Sequence, residues 1–224
     1  MDLIAQMKDA IVRGHINAAS PYPPDMVGQP GIIELVGKAL ADKLEVGTVL
    51  KEGLIAGMDV VGEKFSNGEY FLPDMLMSAQ TMRAGMKLLD PLLRGDVAKK
   101  VGKVIIGTVK GDMHDIGKNL VAVFLEGGGF EVLDLGIDVP PDTFLEKGRE
   151  SPEAVIGMSA LLTTTRESMR TTVNLLHESG LENKIIVGGA VVSQRFADEI
   201  GADGFANNAA QAVPLVRGLL GITS

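Results

Sequence analysis

A chain of 224 residues with no cysteine can bury one large or two ordinary cores, yet it can form no disulfide, thiolate metal site, iron–sulfur cluster or catalytic thiol. Three histidines, His15, His114 and His177, argue against a dedicated zinc site. A formal charge of -8, with 21 basic residues scattered along the chain, argues against a nucleic-acid partner, because neutralising phosphates needs clustered Lys and Arg.

Hydrophobic residues make up 46% of the chain, as in folded globular proteins, and no apolar run approaches the roughly 20 residues that span a bilayer. The N-terminus, "MDLIAQMKDAIVRG", is charged and amphipathic and lacks the apolar stretch and small-residue cleavage site of a signal peptide. A cytoplasmic protein without a membrane partner is expected. Eleven methionines against no tryptophan read mostly as core, although Met also suits surfaces that repack or slide.

From residue 2 to about 93 the apolar residues recur at spacings of three and four, as in "GIIELVGKALADKL", which predicts helices over 2–14, 30–44, 48–66 and 72–93. Pro73 suits a first helical turn, and Pro91 lies near the expected stop of the fourth helix. Between the first two helices lies "GHINAASPYPPDMVGQPG", whose four prolines between 21 and 30 favour an extended or turning chain. It reads either as a surface loop or as a docking or capping element.

From about residue 101 the pattern changes to short β-branched runs, "KVIIGTV", "FEVLDLG", "EAVIGMSA", "KIIVGG" and "DGFAN", alternating with helical segments. Such alternation makes a doubly wound parallel sheet, and five strands fit a flavodoxin-like order. The predicted fold class is α/β: a four-helix bundle at 1–93, then a five-stranded Rossmann-like domain at 94–224. The linker falls in "LLRGDVAKKVG", residues 92–102, whose two glycines suit a hinge.

In an open parallel sheet, ligands bind outside the carboxyl ends of the strands. The loops there are "KGDMHDIG", "GMSALLTTT" and "VGGAVVS", all rich in small or polar residues. The first almost spells a phosphate-binding loop. However, five residues rather than four separate Gly111 from Gly117, Asn119 follows Lys118 where Ser or Thr should stand, and Asp112 and Asp115 would repel phosphate. The offset of two from Asp112 to His114 instead suits a carboxylate that holds one imidazole nitrogen and leaves the other free for a metal.

Asp112, His114 and Gly117 form D-x-H-x-x-G; after 41 residues comes S-x-L, Ser159 and Leu161, and after 26 more the pair Gly188 and Gly189. This combination resembles the cobalamin-binding signature of B12-dependent methyltransferases and mutases. In the first half, "MDVVGEKFSNGEYFLPDMLMSAQTM" resembles the helical cap of methionine synthase and of the small corrinoid proteins of methylotrophic and acetogenic methyl transfer.

The resemblance implies cobalamin or a related corrinoid as cofactor, bound with its own base displaced, and methylcobalamin as the loaded form. It implies that His114 is the lower axial ligand to cobalt, that Asp112 orients His114, and that Thr165 continues the relay at a position where methionine synthase has Ser. Asp115 belongs to the same cofactor loop. Ser159 and Thr163 would line or bond the nucleotide tail, with Gly117, Gly188 and Gly189 leaving room for it, and Leu161 belongs to the same cofactor-binding signature. Phe65 and Leu72, seven residues apart, would cover the methyl group on cobalt.

The function implied is that of a methyl carrier without turnover of its own, and hence without catalytic residues. It would pass a methyl group from a substrate-specific methyltransferase to a second methyltransferase serving tetrahydrofolate or a thiol, with a reductive activase restoring the cobalt. A subunit of an adenosylcobalamin-dependent mutase shares the motif but normally lacks the cap. A cobalamin-sensing regulator normally adds a basic DNA-binding module, which this acidic chain does not show.

Overall fold

The structure is a computed structural model that describes residues 2–93 and 101–222. The chain divides into two compact units, Met1–Lys99 and Lys100–Ser224. Most of the stretch expected to be linker and hinge, residues 94–100, lies outside the described residues.

In the first unit, helix α1 (Leu3–Arg13) stops at Gly14, whose left-handed conformation lets its N–H reach back to the last carbonyls of the helix. No larger residue fits there, because a Cβ would lie 2.7 Å from that of Met77. Helix α2 (Ile32–Ala41) buries Ile32, Leu35, Val36 and Ala39, the three-and-four spacing seen in the sequence. Helix α5 (Leu72–Leu93) carries Pro73 in its first turn and runs two residues past Pro91. The core takes Met7, Met26, Met58, Met75 and Met82, so these methionines are structural filling.

The third predicted helix departs from a plain α-helix. A short α3 (Val46–Thr48) leads into a π segment (Val49–Ile55) and then α4 (Ala56–Ser66). Over two turns a three-and-four spacing reads the same for either bonding pattern, so periodicity alone does not distinguish them. The absence of a side chain at Gly57 brings α4 close to α1, where a Cβ would stand 2.7 Å from that of Ile11.

The Pro-rich connection is ordered around His15, which is fully buried. Its ring nitrogens face the carbonyl oxygens of Tyr22 (Nδ1, 3.2 Å) and Gln29 (Nε2, 3.0 Å), while Ser20 Oγ donates to Tyr22 O at 2.9 Å. A 3-10 turn over Pro24–Met26 tucks Met26 inward, and Arg13 pairs with Asp25. His15→Ala removes the ring that bridges these two carbonyls and opens a cavity. It is expected to lower stability by about 3 kcal/mol in urea unfolding, with no change in the spectrum of any bound cofactor.

The second unit is a five-stranded parallel sheet of order β2-β1-β3-β4-β5, with β1 (Lys103–Thr108), β2 (Glu131–Asp134), β3 (Val155–Ser159), β4 (Ile185–Gly188) and β5 (Gly204–Ala206). Helices α6 (Ile116–Gly127), α7 (Pro141–Glu150), α8 (Thr163–Glu178), α9 (Gln194–Ile200) and α10 (Ala209–Leu219) alternate with the strands. Val104, Ile105 and Ile106 of β1 and Val155 and Ile156 of β3 are buried, as continuous apolar runs in a two-sided parallel sheet should be. The chain reverses its winding between β1 and β3, so the loops that leave these strands flank the switch point where ligands bind.

Candidate functional site

Asp112 and His114 stand in the loop after β1, at that switch point. Asp112 is fully buried and accepts from five donors. Its Oδ1 takes the backbone N–H of His114 (3.0 Å) and the ring Nδ1 (2.7 Å). Its Oδ2 takes Leu161 N (2.7 Å), Leu162 N (3.4 Å) and Thr165 Oγ1 (2.6 Å). The hydroxyl of Thr165 also lies 2.9 Å from Leu162 O, but its one hydrogen favours the shorter, charge-assisted bond to the carboxylate. Burial alone raises the carboxyl pKa; bonds from Thr165, Leu161 and His114 outweigh that and hold Asp112 well below the usual carboxylate range.

An ionised Asp112 fixes the tautomer of His114. The hydrogen sits on Nδ1, and the lone pair is left on Nε2, which meets no hydrogen-bond partner among the described residues. The imidazole is about half exposed (49%), so that lone pair faces a reachable surface. Thr108, fully buried at the end of β1, holds the loop from below by donating to His114 O at 2.9 Å.

The other sequence-predicted residues divide into those at this centre and those apart from it. Thr165 and the backbone of Leu161 belong to the Asp112 cluster. Ser159 ends β3 between Thr108 and Gly188, with its carbonyl accepting from Val109 N at 3.0 Å. Asp115 stands outside the cluster, exposed, and accepts from Asn119 Nδ2 at 3.1 Å. Thr163 is exposed at the start of α8. Phe65 and Leu72 belong to the first unit, where they flank the turn between α4 and α5. Phe71, not singled out from the sequence, is the more exposed neighbour at 67%.

The glycines differ in what they permit. A Cβ at Gly117 would meet nothing within 4 Å, so the space before it is open. Gly189, with φ +117°, is demanded by the protein itself, since a Cβ there would lie 2.0 Å from Ala160 O. Gly189→Ala is therefore expected to cost about 3 kcal/mol or more, read as a lower midpoint in thermal or urea unfolding.

Among the described residues of the second unit, the large hydrophobics left exposed are Met113, Ile116, Ile137, Leu161 and Leu162, all on the carboxyl edge. An apolar rim around one buried carboxylate and one free imidazole nitrogen suits a broad, flat, largely apolar ligand that carries a metal. Among the described residues no group of three or more His, Asp or Glu could hold a bare metal ion. The donor set present, a single neutral nitrogen, therefore fits a metal whose other positions are filled by the ligand itself.

Comparison with known proteins agrees. A model described as a B12 binding domain matches residues 102–215, and a second of the same description matches 29–90. The chain belongs to the family of B12-binding corrinoid proteins. It is 45% identical over 191 residues to dimethylamine corrinoid protein 3 of Methanosarcina acetivorans, covering 84% of this chain and 89% of that one. A corrinoid protein of Desulfitobacterium hafniense is 39% identical over 230 residues, with 99% of each chain covered. Among solved structures, the methanol:cobalamin methyltransferase complex MtaBC from Methanosarcina barkeri matches with a TM-score of 0.81 and 29% identity, covering 99% of this chain and 81% of that one.

This corrinoid protein thus binds its cofactor with a doubly wound sheet whose order and alternation were legible in the sequence. No described helix is long and apolar enough to cross a membrane.

Proposed function

We propose that this corrinoid protein is the methyl-carrying subunit of a methyltransferase system and that His114 Nε2 is the lower axial ligand to cobalt. The observation that carries the reading is the Asp112–His114 pair: a buried carboxylate with five donors lies 2.7 Å from Nδ1 and leaves Nε2 without a partner among the described residues, inside an apolar rim. When bound, the corrinoid supplies a cobalt centre that accepts and releases a methyl group.

The chain's own residues bind, orient and manage a proton. Met113, Ile116, Leu161 and Leu162 offer apolar cover, with Gly117 leaving open space at the start of α6. Asp112, held by Thr165 and Leu161, aims the imidazole. Its carboxylate holds the imidazole hydrogen at Nδ1 and leaves Nε2 for the metal of a bound corrinoid. Phe65 and Leu72 are assigned to the methyl side of the corrin, Ser159 and Thr163 to its nucleotide tail.

The partner in methyl loading is a substrate-specific methyltransferase. A methylated amine is the donor class to test first, since a relative named for dimethylamine is among the most similar. The acceptor side is assigned to a methyltransferase serving tetrahydrofolate or a thiol, with a reductive activase and a cytoplasmic setting. The match of a B12-binding model to residues 29–90 supports the carrier over a mutase subunit, which normally lacks the helical cap.

The test is an absorbance spectrum of the full chain mixed with hydroxocobalamin and freed of excess by gel filtration. Corrin retained by both the native chain and His114→Ala, with an axial-ligand band shift in the native chain alone, is the expected result. Identical spectra from the two would overturn the assignment of His114.

A further inference from the structure

The connection from β2 to α7 reaches across to the His114 loop and grips it through one residue. Asp138 Oδ1 accepts from Gly111 N at 2.7 Å, and Asp138 N donates to Asp112 O at 3.0 Å. Gly111 and Asp112, three and two residues before the ligand, are thereby tied from outside their own loop. Asp138 makes this grip from a left-handed backbone, φ 52°, one of only two such non-glycine positions among the described residues. Asp and Asn tolerate that conformation far better than other side chains, and its persistence here calls for a compensating contact.

The connection is itself fastened to β1. Leu135 N donates to Ile106 O (2.8 Å), Thr108 N to Gly136 O (3.0 Å), and Val139 N to Thr108 O (2.9 Å). Asp138 thus stands on a frame continuous with the sheet, while Thr108 braces the far end of the same loop at His114 O. The loop is clamped before and after the Asp112–His114 pair, and Asp138 is the clamp that a neighbouring connection supplies.

We propose that Asp138 is a positioning residue for His114: its clamp on Gly111 and Asp112 sets the height and tilt at which Nε2 meets the cobalt. This rests on the reading of His114 as axial ligand. Outer partners of a metal ligand commonly alter affinity 10- to 100-fold, because they fix the ligand's direction. Asp138→Asn keeps both the acceptor and the tolerance of the left-handed backbone. Asp138→Gly keeps the backbone but loses the acceptor, and Asp138→Ala loses both.

The experiment loads the full chain, the three Asp138 variants and His114→Ala with hydroxocobalamin, and follows by absorbance the pH at which the axial imidazole leaves cobalt. Asp138→Gly and Asp138→Ala are expected to release it about one pH unit higher than the native chain, a roughly tenfold weaker ligation, and Asp138→Asn close to the native value. Thermal unfolding of the apoproteins runs beside it. Release at the native pH in all three Asp138 variants, whatever their thermal stability, would overturn the proposal. A native chain indistinguishable from His114→Ala would remove the axial assignment on which the proposal stands, a different failure with a different signature.

Discussion

Asp112→Ala will destabilise the second unit by about 4 kcal/mol in urea unfolding of the apoprotein, the largest stability effect expected of a single polar substitution at this site. The carboxylate is fully buried and is the common acceptor of Leu161 N, Leu162 N, Thr165 Oγ1 and both His114 donors. Removing it takes the acceptor from the buried Thr165 hydroxyl and from four part-buried donors, and a buried donor left without a partner costs about 1–3 kcal/mol. The loop after β3 would lose its tie to the loop after β1 at the switch point itself. Asp112→Asn is expected to fall between, since an amide can serve one set of donors but opposes the other with its own N–H groups.

The same carboxylate predicts a pH dependence. Its folded pKa lies below the unfolded value, so the unfolded chain binds the proton first as pH falls. The stabilisation is fully present above the unfolded aspartate value of about 4 and is lost as pH falls below it. Acid unfolding of the native apoprotein should therefore be steeper than that of Asp112→Asn. Parallel acid profiles, or an Asp112→Ala chain within about 1 kcal/mol of native, would mean that the hydrogen bonds around Asp112 contribute little.

The second large effect is functional. His114→Ala should retain corrin, because the sheet edge, its glycines and its apolar rim are untouched, yet methyl loading by a substrate-specific methyltransferase should fall at least about 100-fold. No other nitrogen can take over: His15 is buried in the first unit between two carbonyl oxygens, and His177 lies in the last turn of α8, at the opposite end of that helix from Thr165. Stability of the apoprotein should change by less than 1 kcal/mol beyond the loss of the Nδ1 bond, about the ordinary effect of an exposed substitution. A variant that carries methyl at the native rate would leave the imidazole a purely structural part.

What the sequence made legible follows from what carries each feature. The strands were legible because a parallel sheet buried on both faces demands continuous β-branched runs, as in Val104, Ile105 and Ile106. The Asp112–His114 pair was legible because its chemistry depends on two side chains at a fixed short offset. Thr165, fifty-three residues from Asp112, entered through family resemblance, and the structure brings its hydroxyl to the carboxylate. Thr108 and Asp138 were not singled out, because each acts on backbone groups of the loop, and a backbone amide or carbonyl leaves no mark in a sequence. Asp115 looked alike from the sequence and differs in place: the turn into α6 carries it out to solvent beside Asn119. The π segment was hidden for a third reason, since apolar spacing over seven residues does not report which carbonyl each N–H reaches.

The central claim, that a histidine of this chain supplies the lower ligand to cobalt, is tested most directly by electron paramagnetic resonance of the cob(II)alamin-loaded protein grown with 15N-histidine. Coupling of the unpaired electron to a labelled imidazole nitrogen splits each cobalt line into a doublet, and the cofactor's own unlabelled base splits it into a triplet. The account predicts the doublet, with its loss in His114→Ala. A triplet in the labelled native protein, or no nitrogen splitting at all, would contradict it.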